Sequence, residues 1–133
     1  MPELCSFDYA LVRVVPRVER GEFLNAGVIL FCSTQAYLDA RIELDHARLV
    51  ALSPQVDVAL VEGHLAAIPR LCRGGEEAGP IGQLSQRERF HWLVAPRSTI
   101  VQVSPVHAGV GDDPAAALER LFEKLVRLPA PDA

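Results

Sequence analysis

The stretch FDYALVRVV, from Phe7 to Val15, decides the fold of this chain. Its odd-numbered positions are mostly apolar, and so are its even-numbered positions from residue 10 onward. Because side chains alternate between the two faces of a strand, this stretch is apolar on both faces. Such a pattern predicts a central strand that is covered on both sides.

Two further strands follow in the sequence. Ala26 to Cys32 is a continuous apolar run, which predicts a second buried strand. Ala36 to Leu44 alternates between apolar and polar residues, which predicts a strand with one solvent-facing side. Only Ser33, Thr34 and Gln35 separate these two strands, so we expect them to form a hairpin.

Helix signals come next along the chain. Asp45 can cap a short helix that runs through Leu52, and Ser53-Pro54 has the composition of a second helix start. The helix that follows has apolar residues three and four positions apart, namely Val58, Val61, Leu65, Ile68 and Cys72. Pro69 is expected to kink or end this helix.

The later part of the chain predicts two helices with one strand between them. Ser85 to Glu88 has the pattern of a capping box, which begins a helix. Ser98 to Ser104 reads as a fourth strand, and Asp113-Pro114 begins the last helix.

This order of elements predicts an α+β fold, because tight hairpins between successive strands disfavour a doubly wound parallel sheet. We expect a single domain over residues 1–128, with a mainly antiparallel sheet of about four strands, three N-terminal and one late. Three to four helices are expected to pack on it. Residues 129–133 are expected to form a flexible C-terminal tail.

Composition and charge exclude several classes of protein. The chain has 133 residues, of which 50% are hydrophobic and 23% charged, so it is not a disordered or fibrous chain. The net charge of −4 argues against a surface that coats nucleic acid. The chain has no long apolar run and no secretory signal pattern, and its three cysteines lack CxxC spacing. We therefore expect a cytoplasmic protein with reduced thiols.

The first polar segment that folding does not require begins on the predicted central strand. Arg13 places a charge on a buried face, and a long connection follows it before Asn25. One interpretation is that Arg13, Arg17, Glu22 and Asn25 line a polar site at one end of the sheet. The other is that Arg13 reaches water from the strand end, while Glu22 pairs with a neighbouring arginine.

The second polar segment lies at the start of the predicted fourth strand. Arg97, Ser98 and Thr99 place a guanidinium and two hydroxyl groups together, which is a composition suited to binding an anion. The alternative is that these hydroxyl groups only satisfy a loop and that His91 is a core histidine bonded to the backbone.

Sequence patterns for catalysis and for cofactors do not match. The chain has no GxSxG, no GxGxxG and no GxxxxGK[ST] motif, and its four histidines show no metal-ligand spacing. We therefore predict neither a metal nor a cofactor, and assign no catalytic residue. This pattern favours a binding protein over an enzyme.

The two polar segments also resemble a known family. Tyr9 to Pro16 with Arg20 to Phe31, and His91 to Thr99, resemble the uncharacterised bacterial domain-of-unknown-function family 3037. The resemblance extends from Ser6 to Val126. It implies small proteins whose genes neighbour those of HipA-like kinase proteins, and hence an accessory role with such a partner. The residues that match the motifs are the candidate ligand-binding residues Arg13, Arg20, Glu22, Asn25, His91, Arg97, Ser98 and Thr99.

Three functional hypotheses follow from these observations. The first is an accessory or binding module in which Arg13 and Arg97 grip an anionic group, either a small molecule or a partner's acidic or phosphorylated side chain. The second is a small enzyme that acts on a phosphorylated or nucleotide substrate, with His91 or His107 and Glu22 as its acid-base pair. The third is a structural subunit marked by an exposed apolar patch.

Overall fold

The central strand β1 (Cys5–Val14) organises an open antiparallel sheet in the computed structural model, which describes residues 4–129. On one side it pairs with β2 (Leu24–Cys32), which pairs in turn with β3 (Tyr37–Ile42). On its other side it pairs with β4 (Val101–Val103) and β5 (His107–Gly111). The predicted α+β class is confirmed.

The strands β4 and β5 are two halves of one broken edge strand. Val12 pairs with Val103 and Tyr9 pairs with His107, so four steps along the edge strand match three steps along β1. The extra residue makes a bulge. Ser104 holds this bulge, because its N–H donates to the Leu11 carbonyl at 2.9 Å and its Oγ accepts from the Leu11 N–H at 2.8 Å. The late strand predicted over Ser98 to Ser104 is limited to β4, and β5 is an additional strand that was not predicted, so the described residues form five strands in four sheet positions.

The predicted hairpin between β2 and β3 is confirmed. Its turn occupies residues 33–36, where the Ala36 N–H donates to the Ser33 carbonyl at 3.2 Å. Ala36 adopts a φ of 50°, which is unusual for a residue with a Cβ. The strand that follows begins at Tyr37 and is two residues shorter at its end than predicted.

Two helices follow the hairpin, α1 (His46–Leu52) and α2 (Val58–Arg73). Asp45 caps α1 as predicted, but Ser53-Pro54 does not begin α2. The Ser53 N–H donates to the Leu49 carbonyl, so this residue ends α1, and Asp57 caps α2 four residues later. The helix α2 also continues one turn beyond Pro69.

The helix α3 (Gln86–Leu93) begins with the predicted capping box. Its Arg89 is 8% exposed and donates to the carbonyls of Leu71 at 2.8 Å, Cys72 and Leu84 at 3.0 Å. The side chain therefore satisfies the C-terminal end of α2. Gly74 has a φ of 74°, and a Cβ there would lie 2.8 Å from the Arg89 Cζ, so both conformation and space favour glycine.

Helices cover both faces of the sheet. One core cluster joins α1, α2 and α3 to the face of β1 that carries Val12 and Val14. The last helix, α4 (Pro114–Leu125), is capped by Asp113 as predicted and packs on the face that carries Phe7. No helix within residues 4–129 is long and apolar enough to cross a membrane. Of the predicted C-terminal tail, residues 130–133 lie outside the described part of the chain.

Candidate functional site

A polar cleft of about 470 Å³ lies between the β1–β2 connection and the α1–α2 connection. A single turn of 3₁₀ helix, Val18–Arg20, shapes the first connection. Gly21 ends this turn in the left-handed region, with a φ of 71° that a glycine adopts without steric cost. Residues 51–55 form the opposite wall, so the cleft joins the end of the sheet to the end of α1.

Arg17, Arg20 and Glu22 give the polar cleft its charge. Arg20 Nε donates to Glu22 Oε1, and this hydrogen bond raises the pKa of Arg20 above its ordinary value. The two charges therefore offset each other. Arg17 forms no ion pair with any residue of the described range. Since the C-terminal end of α1 contributes at most about half a negative charge, the cleft keeps a small positive charge.

The wall opposite the arginines contributes neutral polar groups that the sequence did not reveal. Ser53 is 9% exposed, and its hydroxyl makes no hydrogen bond within residues 4–129. Gln55 adds a side-chain amide to the same wall. The dipeptide Ser53-Pro54 is the sequence feature that marks this position, but its composition suits both a helix start and the residues after a helix end. The sequence alone therefore did not place Ser53 beside Arg17.

Arg13 and Asn25 lie away from the polar cleft, on the face of the sheet that α4 covers. They are opposite each other on β1 and β2, next to a β-bulge between Val12 and Arg13. Asn25 Nδ2 donates to the Leu125 carbonyl at the end of α4, at 3.0 Å. The Arg13 guanidinium stacks on the exposed Phe23 ring, 4.2 Å from its centroid. Arg13 Nε and Asn25 Oδ1 are buried without a hydrogen-bond partner among the described residues.

The Arg97 guanidinium binds the end of α3. It donates to the carbonyls of Trp92 at 2.6 Å, Leu93 at 3.1 Å and Ala95 at 3.3 Å. It also stacks on the Trp92 ring, 4.4 Å from the centroid. The carbonyls of Trp92 and Leu93 belong to the last turn of α3, which lacks the regular i+4 donors of a helix interior, and that of Ala95 follows the helix end. Arg97 therefore has a structural role at this position, whatever else it binds.

The other polar residues of the second motif lie near the surface, and among them Thr99 contacts the backbone. Thr99 Oγ1 donates to the Val101 carbonyl at 2.8 Å, which orders the entry to β4. Ser98 is exposed and makes no side-chain hydrogen bond within residues 4–129. His91 lies exposed on α3 and is not a core histidine. Arg97 and Thr99 line an apolar groove of about 150 Å³ between α2, α3 and β4.

The structure distributes the eight predicted ligand-binding residues over separate places. Arg20 and Glu22 line the polar cleft, while Arg97 and Thr99 line the apolar groove. Asn25 lines a third cavity of about 140 Å³, together with residues 43–45 and 126–128. No residue from the second motif lines the polar cleft within the described range. That any of the eight binds a ligand stays a prediction.

The acid-base pair of the enzyme hypothesis is not assembled in the described residues. No histidine lines the cleft that Glu22 lines, and the side-chain partner of Glu22 is Arg20. His107 lies on β5, where its ring is 5.4 Å from that of Tyr9. Within residues 4–129, no group of three or more His, Cys, Asp or Glu side chains is arranged to hold a metal ion.

Comparison with known proteins gives one match. A family model described as "Protein of unknown function (DUF3037)" matches residues 9–126, which include both polar motifs. No curated protein and no solved structure matches the chain significantly.

Proposed function

The chain belongs to the DUF3037 family of proteins of unknown function, and from its polar cleft we propose that it is a small module that binds a phosphate monoester. The observation that carries the proposal is that Arg17, which makes no ion pair within residues 4–129, lines the same cleft of about 470 Å³ as Ser53 and Gln55. A guanidinium presents parallel N–H donors that match phosphate oxygens. The Ser53 hydroxyl and the Gln55 amide supply neutral donors on the opposite wall.

The size of the polar cleft favours an anion carried by a larger molecule. Cavities of roughly 300–1,000 Å³ typically hold organic ligands, whereas a bare phosphate would leave most of this cleft to water. The small positive charge predicts weak binding of inorganic phosphate, with a Kd on the order of 1 mM. The organic part of the ligand would add affinity through the rest of the cleft.

A titration of the 15N-labelled protein tests this proposal. Inorganic phosphate and a phosphoserine peptide are added separately, and amide shifts are followed at residues 17–22 and 51–55. Arg17→Ala should weaken binding about tenfold, because it removes a charge-assisted hydrogen bond at a solvent-open site. Arg120→Ala, at an exposed position on α4, is the matched control and should bind as the wild type does.

A third titration, with glycerol phosphate, is compared with that of the phosphoserine peptide and separates the possible sources of the phosphate group. Tighter binding of the peptide would indicate a phosphorylated protein, and tighter binding of a small phosphate monoester such as glycerol phosphate would indicate a metabolite. Shifts at the cleft that survive Arg17→Ala unchanged would overturn the proposal, and so would the absence of shifts at phosphate concentrations of about 50 mM.

The accessory role is a second part of the proposal. We propose that the protein acts in the bacterial cytoplasm beside a HipA-like kinase protein, and that a phosphorylated side chain of this partner enters the polar cleft. The family resemblance supports the choice of partner, and the chemistry of the cleft supports the choice of group. Co-purification with the HipA-like protein of the same genome should succeed with the wild type and fail with Arg17→Ala. Equal recovery of both would contradict this role for the cleft.

A further inference from the structure

Two buried cysteines meet at the end of the β1–β2 pair that is far from the polar cleft. Cys5 is the first residue of β1 and Cys32 is the last residue of β2, and both are free thiols. Their Sγ atoms are 3.1 Å apart, although 27 positions separate them in the sequence. A disulfide has an S–S distance of about 2.05 Å, so an approach of roughly 1 Å joins them. Side-chain rotations produce shifts of that size.

Polar groups surround this thiol pair. Thr34 Oγ1 lies 3.4 Å from Cys32 Sγ, and Gln35 Nε2 donates to Cys5 Sγ at 3.4 Å. The same Gln35 amide donates to the Asp112 carbonyl at 3.2 Å, so it bridges the turn after β2 and the end of β5. These two thiols therefore have a polar environment, whereas a cysteine that only fills a core is surrounded by apolar side chains.

The pair is reached from solvent through Cys5. Its side chain is 8% exposed, while Cys32 is completely buried. An oxidant therefore meets Cys5 first, and Cys32 is the second thiol within reach.

We propose that Cys5 and Cys32 form a reversible oxidation site, in which a hydroperoxide converts the dithiol to an intramolecular disulfide. The Cys5 sulfur attacks the peroxide, the O–O bond breaks, and the products are a Cys5 sulfenic acid and water or an alcohol. The Cys32 sulfur then attacks the Cys5 sulfur and expels the hydroxyl group, which leaves as water with the Cys32 proton. Two thiols are oxidised and one hydroperoxide is reduced.

The first step is expected to be slow at neutral pH. The hydrogen bond with Cys32 and burial both raise the pKa of the Cys5 thiol, so little of it is present as thiolate. For Cys32, burial is outweighed by hydrogen bonds with Thr34 and Cys5, which lower the pKa of the thiol, so Cys32 more readily supplies the thiolate for the second step. The pair is therefore a site that responds to sustained oxidation.

Cys72 provides a control within the same chain. It is 2% exposed on the opposite face of the sheet, where burial raises the pKa of its thiol to about 12. No second cysteine contacts it within residues 4–129. Under the same oxidant it is expected to remain a thiol.

Mass spectrometry of the folded protein tests the proposal. After treatment with hydrogen peroxide and alkylation under denaturing conditions, the wild type should lose about 2 Da and accept one alkyl group instead of three. Trypsin should release residues 1–13 linked to residues 21–41, and dithiothreitol should separate them. Cys72→Ser should form the same link and accept no alkyl group, and Cys5→Ser and Cys32→Ser should not form it.

The linked peptide is sought in the wild type, so the test does not depend on how well a variant folds. Absence of the link after peroxide treatment would overturn the proposal. Loss of all three thiols at one rate, a link that forms only after denaturation, and a link between two molecules would each overturn it as well.

Discussion

Four arginines of this molecule form two groups with opposite environments. Arg89 and Arg97 direct their guanidiniums at backbone carbonyls, Arg89 at the end of α2 and Arg97 at the end of α3. Arg17 and Arg20 lie at the β1–β2 connection and line a solvent-open cleft. The side chain is the same in all four cases. The two groups differ in whether the guanidinium donates to carbonyls at a helix end, and of the four only Arg17 makes neither such a bond nor an ion pair within residues 4–129.

The difference follows from where helices end. An α-helix leaves its last four carbonyls unpaired, and a nearby guanidinium satisfies several of them at once. The C-terminal end of α1 forms the opposite wall of the polar cleft, but neither Arg17 nor Arg20 donates to its carbonyls within residues 4–129. The chain has twelve arginines and one lysine, and the four arginines of these two groups show that this excess of arginine does not reflect one common role.

Removal of Arg89 should have the largest effect on the fold. Arg89→Ala removes the guanidinium donor from one buried and two partly buried carbonyls, so we expect the free energy of unfolding to fall by about 3 kcal/mol. Urea denaturation measures this change, and Arg120→Ala at an exposed position should stay within about 0.5 kcal/mol of the wild type. A loss for Arg89→Ala as small as that of the control would show that the carbonyls find other partners.

Arg97→Ala should have a smaller effect of the same kind. The side chain is only half-buried and water can replace some of its hydrogen bonds, so we expect a loss of about 1.5 kcal/mol, including its stacking on Trp92. Arg97→Lys keeps the charge but not the planar fork, and should recover less than half of the loss. Full recovery by lysine would contradict the role of the guanidinium geometry.

The contrast also shows which parts of the molecule were predictable from sequence. Asp45, Ser85 and Asp113 were identified as helix caps because a cap depends only on residues within one turn. The sheet was predictable from β1 and β2 because their apolar runs require burial on both faces.

The environment of Arg97 was not predictable, because it depends on where α3 stops and how the chain turns back. The same limit applies to the polar cleft. Its two walls, residues 17–22 and 51–55, belong to separate connections of the chain, and Ser53-Pro54 predicts the start of a helix although Ser53 ends one. Only the packing of α1 against the sheet brings Ser53 to the cleft that Arg17 also lines.

Phosphate should distinguish the two groups of arginines by its effect on stability. At a phosphate concentration of ten times the Kd, binding to the native state adds about 1.4 kcal/mol to the free energy of unfolding. Arg97→Ala should gain the same increment as the wild type despite its lower starting stability, whereas Arg17→Ala should gain much less. The measurement is a series of urea denaturation curves with and without phosphate, at constant ionic strength. A missing increment in Arg97→Ala would place Arg97 at the ligand.

The smallest expected change in affinity comes from a pair of serine substitutions, which also gives the most specific test of the site. Ser53 lies on the wall of the polar cleft, and Ser98 lies beside Arg97 in the second motif. Neither hydroxyl makes a hydrogen bond within residues 4–129, so both alanine variants should fold with nearly the wild-type stability. A hydroxyl that donates to a bound phosphate contributes about 1 kcal/mol, so Ser53→Ala should weaken phosphate binding about fivefold.

Ser98→Ala should leave the affinity unchanged, because the residue lies outside the cleft lining. The same amide titration measures both variants. Equal weakening by the two substitutions would mean that residues 97–99 reach the bound phosphate, and that the two motifs act as one site. An unchanged affinity in Ser53→Ala would instead indicate that the phosphate contacts Arg17 and not the wall formed by residues 51–55.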